Sequence, residues 1–259
     1  MSSVPSTTEL GIELADHVAT VEIRRPPHNF FDLALIQALA NAFEALDADS
    51  GCRTIVLASQ GKSFCAGANF ADRDREAPSG TTNPLYAQAV RLFACKKPIV
   101  AAVQGPAIGG GAGLALVADF RVVSPEARFS ANFVKLGIHP GFGLTHTLPR
   151  LIGQQKAALM FYTGRRIGGE EAVAWGLADL VAGADRLRVV AGELAAEIAE
   201  GAPLALVSTR ATMRRGLADA VKTQTDHEAK EQAWLFRTED HREGVKAVAE
   251  RRPGRFVGK

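Results

Sequence analysis

Hydrophobic and polar positions follow two rhythms along the first half of the chain. Residues 17–24 (HVATVEIR) are rich in β-formers and end before Pro26-Pro27, a pair that cannot continue a strand ladder. Asp32 then stands where a helix N-cap belongs. Ile36, Leu39, Phe43 and Leu46 recur behind it as the stripe of an amphipathic helix. TIVLAS (Thr54–Ser59), PIVAAVQG (98–105) and FRVVS (120–124) are continuous apolar runs that predict buried strands, and the first two lead straight into glycine-bearing turns. Strands separated by helical stretches predict an α/β domain. After about Gly201 the strand signals stop, and residues 203–216, 223–236 and 240–252 read as helices. Asp240 followed by Glu243 predicts a capping pair at the start of the last one. Residues 71–83 (ADRDREAPSGTTN) mix charge with Pro, Ser, Gly and Thr and read as a surface loop. No fixed-period repeat emerges. The expected organisation is an α/β body over residues 1–200 and a helical region over residues 201–259.

Composition narrows the class without naming a chemistry. The chain has 259 residues, 47% hydrophobic and 22% charged, with a net charge of +2. That length supports a sizeable core, and so small a charge excess gives no reason to expect nucleic acid or an anionic membrane as partner. Cys52, Cys65 and Cys95 are too few and too scattered for a disulfide framework or a zinc cage. The N-terminal stretch lacks the basic start and apolar core of a signal peptide, and no uncharged apolar run reaches membrane-spanning length. A cytoplasmic globular protein is the expectation.

Two glycine segments carry the candidate chemistry. Gly61-Lys62-Ser63 imitates the tail of a phosphate-binding loop, but Val56 stands where that motif needs its first glycine. Gly109 and Gly111 imitate a dinucleotide fingerprint, but Leu114 occupies its third small position. A nucleotide-binding protein is therefore a poor reading. Residues 109–113 instead follow a predicted strand and open an apolar helix over residues 114–118. Unpaired amides at such a start attract an anion, and glycines let a ligand reach them closely. If Ala66-Gly67-Ala68 adds an amide from a second strand end, two N–H groups converge on one oxygen as an oxyanion hole, suited to an enolate or tetrahedral intermediate. The alternative is that these glycines only permit close helix–sheet packing.

The segments FCAGAN (64–69) and KPIVAAVQGPAIGGGAGLALVADFRVVSPEARFSANFVKLGIHPGFG (97–143) resemble the enoyl-CoA hydratase/isomerase, or crotonase, superfamily. The likeness continues through LPRLIG (148–153), GRRIGGEEAVAWGLAD (164–179) and FRTEDHREGVKAVAERR (236–252). It implies an α/β crotonase-like fold, a spiral of ββα units, followed by a helical C-terminal trimerisation region. It also implies a homotrimer or a dimer of trimers, an acyl-CoA substrate and no separate cofactor, coenzyme A being part of the substrate. By the same resemblance the thioester oxygen sits between the backbone amides of Ala68 and Gly110, with Ala66, Gly67 and Gly109 shaping that site. Arg251 takes the place from which a basic residue approaches the CoA phosphates; the alternative is a solvated basic helix end.

The resemblance fails at two positions. Family hydratases add water with two glutamates, and here Gly113 and Phe133 stand in those places, while Asp119 and Glu126 fall at positions that look structural. An oxyanion donor is worth on the order of 10² to 10³ in rate and a positioned acid or base about 10² to 10⁴. Losing both glutamates removes most of the hydration chemistry and leaves thioester polarisation. His139, held extended before Pro140, is the candidate proton carrier; the alternative is a histidine bonded in a turn. His146 reads as packing. Asn69 and Asn132 are candidates to orient a substrate group or a water, Tyr86 to line the acyl pocket, and Phe133 and Phe142 to make the chamber smaller and more apolar. Cys65, with no base beside it, reads as inert packing. The functional expectations are an acyl-CoA isomerase, decarboxylase or hydrolase using His139, or a catalytically weak homologue that binds acyl-CoA.

Overall fold

The computed structural model describes residues 7–69 and 83–259. Six strands form one sheet: β1 (Leu10–Ala15), β2 (Val18–Ile23), β3 (Thr54–Ser59), β4 (Ile99–Val103), β6 (Phe120–Val123) and β9 (Leu180–Val181), in that order. β1 and β2 are antiparallel and the rest are parallel. The central strands alternate between two cores. Ile55, Leu57, Ile99, Ala101 and Val103 face the main one. Val56, Ala58, Val100 and Ala102 meet Leu187, Ala191 and Ala195 of a helix, Leu187–Ala199, on the other face. Burial on both faces is why these strands read as unbroken apolar runs.

After each of four of these strands the chain takes a short extended step in a second layer. The steps are the bridge residue Phe31 after β2, the bridge residues Cys65 and Ala68 after β3, β5 (Pro106–Ile108) after β4, and β7 (Arg128–Ser130) after β6. They lie side by side and parallel: Phe31 bridges Ala68, Cys65 bridges Ala107, and β5 pairs with β7. Helical turns follow: α1 (Leu33–Ala48), α2 (Pro84–Phe93), α3 (Gly110–Ala115), and a 3₁₀ turn (Asn132–Leu136) leading into α4 (Leu144–Thr163). This is the expected spiral of ββα units. β8 (Arg166–Gly168) pairs antiparallel with β7, and α5 (Gly169–Trp175) leads into β9.

The helix over Leu187–Ala199, α6, is followed by α7 (Pro203–Met213), α8 (Leu217–Leu235) and α9 (Glu239–Ala249). Asp119 ties α7 to the body, accepting from Arg210 Nε at 2.8 Å and from Arg214 at 2.8 Å. The same carboxylate accepts from the Ile99 amide at 2.9 Å, in keeping with its structural reading. α8 sends Leu217 and Val221 into the main core and packs on α2 and α4, while α9 lies on the 3₁₀ turn.

Several boundaries differ from expectation. Asp16 and His17 both have positive φ (47° and 68°) and form the hairpin turn into β2, so His17 belongs to the turn and β1 precedes it. The helix expected over residues 114–118 begins at Gly110 and ends at Ala115. The last helix is capped by Thr238, whose hydroxyl accepts from the His241 amide at 3.0 Å. Asp240 and Glu243 are taken up by the C-terminal tail: Asp240 accepts from the Val257 and Gly258 amides at 2.6 and 2.9 Å, Glu243 from the Arg255 amide at 2.8 Å. The loop expected over residues 71–83 lies outside the described residues except for Asn83, which caps α2. Among the described residues no helix is long and apolar enough to cross a membrane.

Candidate active site

The spiral brings the two glycine segments against each other. Residues 65–68 run between residues 28–31 and β5, held by Ala66 N–H to His28 O (2.9 Å), Phe31 N–H to Gly67 O (2.9 Å) and Ile108 N–H to Cys65 O (3.0 Å). Gly67 is one point of close approach. A β-carbon there would stand 2.7 Å from the Ile108 carbonyl oxygen and 3.3 Å from the Gly110 nitrogen, and its φ of +81° also favours glycine. Ala68, the next residue, and Gly110, the first residue of α3, are half-buried where Gly67 and Gly109 are buried. Among the described residues neither the Ala68 nor the Gly110 N–H has a protein acceptor. Two free donors at the meeting of two strand ends can bind a carbonyl oxygen and stabilise negative charge on it.

Three phenylalanines close the space around α3. The Phe31 ring lies so close to Gly110 that a β-carbon there would stand 2.5 Å from its Cζ. At Gly113 the same construction meets the Phe142 ring at 2.8 Å, and at Gly109 it meets Phe133 at 3.7 Å and Asn132 Oδ1 at 3.4 Å. Phe31 and Phe142 contact each other with centroids 5.4 Å apart. All three rings are buried. The space beside Gly113 is thus filled by the apolar Phe142 ring, and Phe133 is itself part of this packing.

The other candidates are distributed differently. His139 is half-buried. Its Nδ1 lies 2.8 Å from the Pro140 carbonyl oxygen, which only accepts, so Nδ1 carries the proton and Nε2 is the basic nitrogen of the neutral ring. It opens onto a cavity of about 770 Å³ lined also by Phe161, Tyr162, Trp234 and Phe256, a cavity that neither Ala68 nor Gly110 lines. The Tyr86 hydroxyl donates to Gln232 Oε1 at 2.8 Å. Asn69 lines a smaller cavity with Arg25, His28 and Phe31. Arg251 is exposed just past α9 and its side chain has no partner among the described residues. Cys65 is fully buried, and burial pushes its thiol up to about 12, as its inert reading requires. Among the described residues no cluster of His, Cys, Asp and Glu could hold a metal ion.

Phe31 and Glu228 escaped the sequence reading. Phe31 directly precedes the recognised cap Asp32, but nothing in its spacing ties it to residue 110. Glu228 is a buried carboxylate on α8, among Val221, Thr225, Ala229 and Gln232. An acid on the core-facing stripe of a helix was the available signal. Its oxygens accept from Gly143 N–H (2.7 Å), Thr145 N–H (3.1 Å) and the Thr145 hydroxyl (2.6 Å). Burial pushes its carboxyl up to about 7, against the opposing pull of those donors.

Comparison with known proteins identifies the class. Residues 13–259 match the family described as enoyl-CoA hydratase/isomerase. The chain is 33% identical over 257 residues to 2,3-dehydroadipyl-CoA hydratase of Escherichia coli, covering 97% of this chain and 100% of that protein. It is 31% identical over 254 residues to 1,2-epoxyphenylacetyl-CoA isomerase of the same organism, covering 93% and 95%. Among solved structures, an enoyl-CoA hydratase/isomerase from Pseudoalteromonas atlantica T6c superposes with a TM-score of 0.87 at 30% identity, covering 96% of this chain and 100% of that one. The chain belongs to the enoyl-CoA hydratase/isomerase family and has the crotonase fold.

Proposed function

We propose that this protein acts on an acyl-CoA thioester, binding the thioester oxygen between the Ala68 and Gly110 amides and stabilising an enolate there without the hydratase glutamates. The observation that carries this reading is the close approach of Gly67 to the Gly110 nitrogen, with the two neighbouring amides unpartnered and half-buried. Enolate formation places charge on that one oxygen, so two fixed donors lower its barrier irrespective of what happens to the acyl chain. Isomerisation, decarboxylation and hydrolysis each need fewer proton-transfer groups than hydration by two carboxylates. His139, basic at Nε2, faces a cavity that neither amide lines; it is our candidate for proton transfer to an acyl group that reaches that cavity, and Arg251 is our candidate for the CoA phosphates. A second reading, an acyl-CoA-binding homologue with weak turnover, is favoured by the Phe133 and Phe142 rings beside the glycines.

We also propose assembly as a homotrimer or dimer of trimers. Leu204, Met213 and Tyr162, 73–86% exposed, leave apolar surface on α7 and α4 for such contacts. Three free, buried cysteines support a reducing cytoplasmic location.

The test is the ultraviolet absorbance of crotonyl-CoA and longer analogues at high enzyme concentration, with product analysis. Thioester binding with slow or no hydration is expected. Rapid formation of hydroxyacyl-CoA would contradict a site without a hydration pair. For the reaction that is found, His139→Ala should abolish turnover and leave CoA affinity within about twofold; an unchanged rate removes His139 from the mechanism.

A further inference from the structure

The segment 139–145 holds two consecutive residues in the left-handed region: Phe142 at φ +64° and Gly143 at φ +71°. For glycine that conformation carries no steric penalty. For phenylalanine it carries a steric penalty, because the β-carbon crowds the following carbonyl. A bulky residue stays there only when its surroundings over-determine it. Two sets of contacts do so.

The first is the seat. Gly113 carries no side chain, and the Phe142 ring lies in the space a side chain there would enter, in contact with Phe31 at a centroid distance of 5.4 Å. Through Phe31 this packing reaches Gly110, whose amide is half of the proposed oxyanion hole.

The second is a clamp from α8. Gln224, Glu228 and Gln232 recur every four residues, one face of the helix. Gln232 donates to the His139 carbonyl at 2.9 Å and accepts from Tyr86, and a β-carbon at Gly141 would collide with both of those side chains. Glu228 accepts from the Gly143 amide, the Thr145 amide and the Thr145 hydroxyl; Gln224 donates to that hydroxyl at 2.7 Å. Gly143 has no side chain with which to cap α4, so a carboxylate from another helix supplies the cap. The shorter of its two bonds to backbone amides, 2.7 Å, falls on the amide directly after Phe142.

We infer that Glu228 is a positioning residue for substrate selection: by binding the Gly143 and Thr145 amides it holds Phe142 in its left-handed conformation on Gly113. The ring so held fills the space beside Gly113, three residues beyond the Gly110 amide, and so limits the acyl groups admitted there to small ones. This rests on the acyl-CoA reading of the site. Phe142 sets the limit by filling that space, and Glu228 acts through it.

The experiment is calorimetric titration of the full-length protein with CoA, crotonyl-CoA and benzoyl-CoA. Wild type, Phe142→Ala, Glu228→Gln and the double variant are compared. Wild type should bind crotonyl-CoA at least tenfold more tightly than benzoyl-CoA. Phe142→Ala should erase that preference, and Glu228→Gln should reduce it at least threefold while binding CoA as wild type does. The double variant should match Phe142→Ala, because Glu228 has nothing further to position once the ring is gone. A Glu228→Gln variant with the wild-type preference, or effects that add in the double variant, would overturn the inference. If Glu228→Gln does not fold, Thr145→Val, which removes one of the three donors, should move the preference in the same direction, and no movement overturns the inference equally. Failure of the wild type to bind any CoA species would be a different result: it removes the acyl-CoA reading itself, and this inference with it.

Discussion

The two halves of the candidate site are built from different materials. The segments 65–68 and 109–111 contribute backbone alone, whereas the wall formed by Phe133 and Phe142 contributes side chains. In the first half, substitution at Gly67 and at Gly111 is blocked by backbone. A β-carbon at Gly111 would stand 2.0 Å from the Cys65 carbonyl oxygen, and one at Gly67 2.7 Å from the Ile108 carbonyl oxygen. In the second half the obstruction is a side chain, since the nearest atoms to a β-carbon at Gly113 all belong to Phe142. Backbone contacts cannot yield without unpairing the short parallel layer that carries them. Side chains can be exchanged in matched pairs. A thioester-polarising frame can therefore persist while the groups that finish the reaction are replaced.

The largest expected effect breaks the backbone half. Gly111→Ala must displace the Cys65 carbonyl, which accepts from Ile108 N–H. Overpacking against backbone should destabilise the fold by more than about 3 kcal/mol. Urea unfolding measures it, and a cost below about 1 kcal/mol would mean that the two segments are not in rigid contact. A smaller effect sharpens the other half. Gly113→Glu alone should cost about 2 kcal/mol or more, because the new side chain meets the Phe142 ring. Gly113→Glu combined with Phe142→Ala should recover most of that stability. Additive losses in the pair would show that ring and glycine are not matched.

The smallest effect concerns pH. Burial raises the Glu228 carboxyl from its ordinary 4.5 to about 7. The folded chain keeps this proton where the unfolded chain has released it, so the group's contribution to stability is complete below about pH 4.5. It is lost as pH rises to about 7, a change on the order of 3 kcal/mol at most. Glu228→Gln cannot titrate. Its unfolding free energy relative to wild type should therefore rise across that window, and parallel curves would place the carboxyl outside a buried setting.

How much of this was legible in the sequence follows from the same contrast. TIVLAS and FRVVS were found because strands buried on both faces leave continuous apolar runs, and α1 because Asp32 caps a clear stripe. β1 was missed because its second half is exposed and breaks any pattern. The repeat was invisible as a period. Its strands start at Val18, Thr54, Ile99 and Phe120, unevenly spaced, and its second-layer steps are too short to carry a rhythm. The glycine segments advertised an anion site, but the pairing of Ala68 with Gly110 came from family resemblance. No spacing rule joins residues 67 and 110, or Phe142 and Gly113. Those meetings belong to the tertiary fold, as does the Glu228 clamp.

The most direct measurement of the central claim is the infrared stretch of the thioester carbonyl in bound crotonyl-CoA, isotope-labelled at that carbonyl. Two amide donors converging on the oxygen weaken the C=O bond, so the band should move to lower frequency on binding, and Gly67→Ala should abolish the shift or the binding. A bound thioester whose carbonyl band stays at its solution position would contradict the assignment of the Ala68 and Gly110 amides as the oxyanion hole.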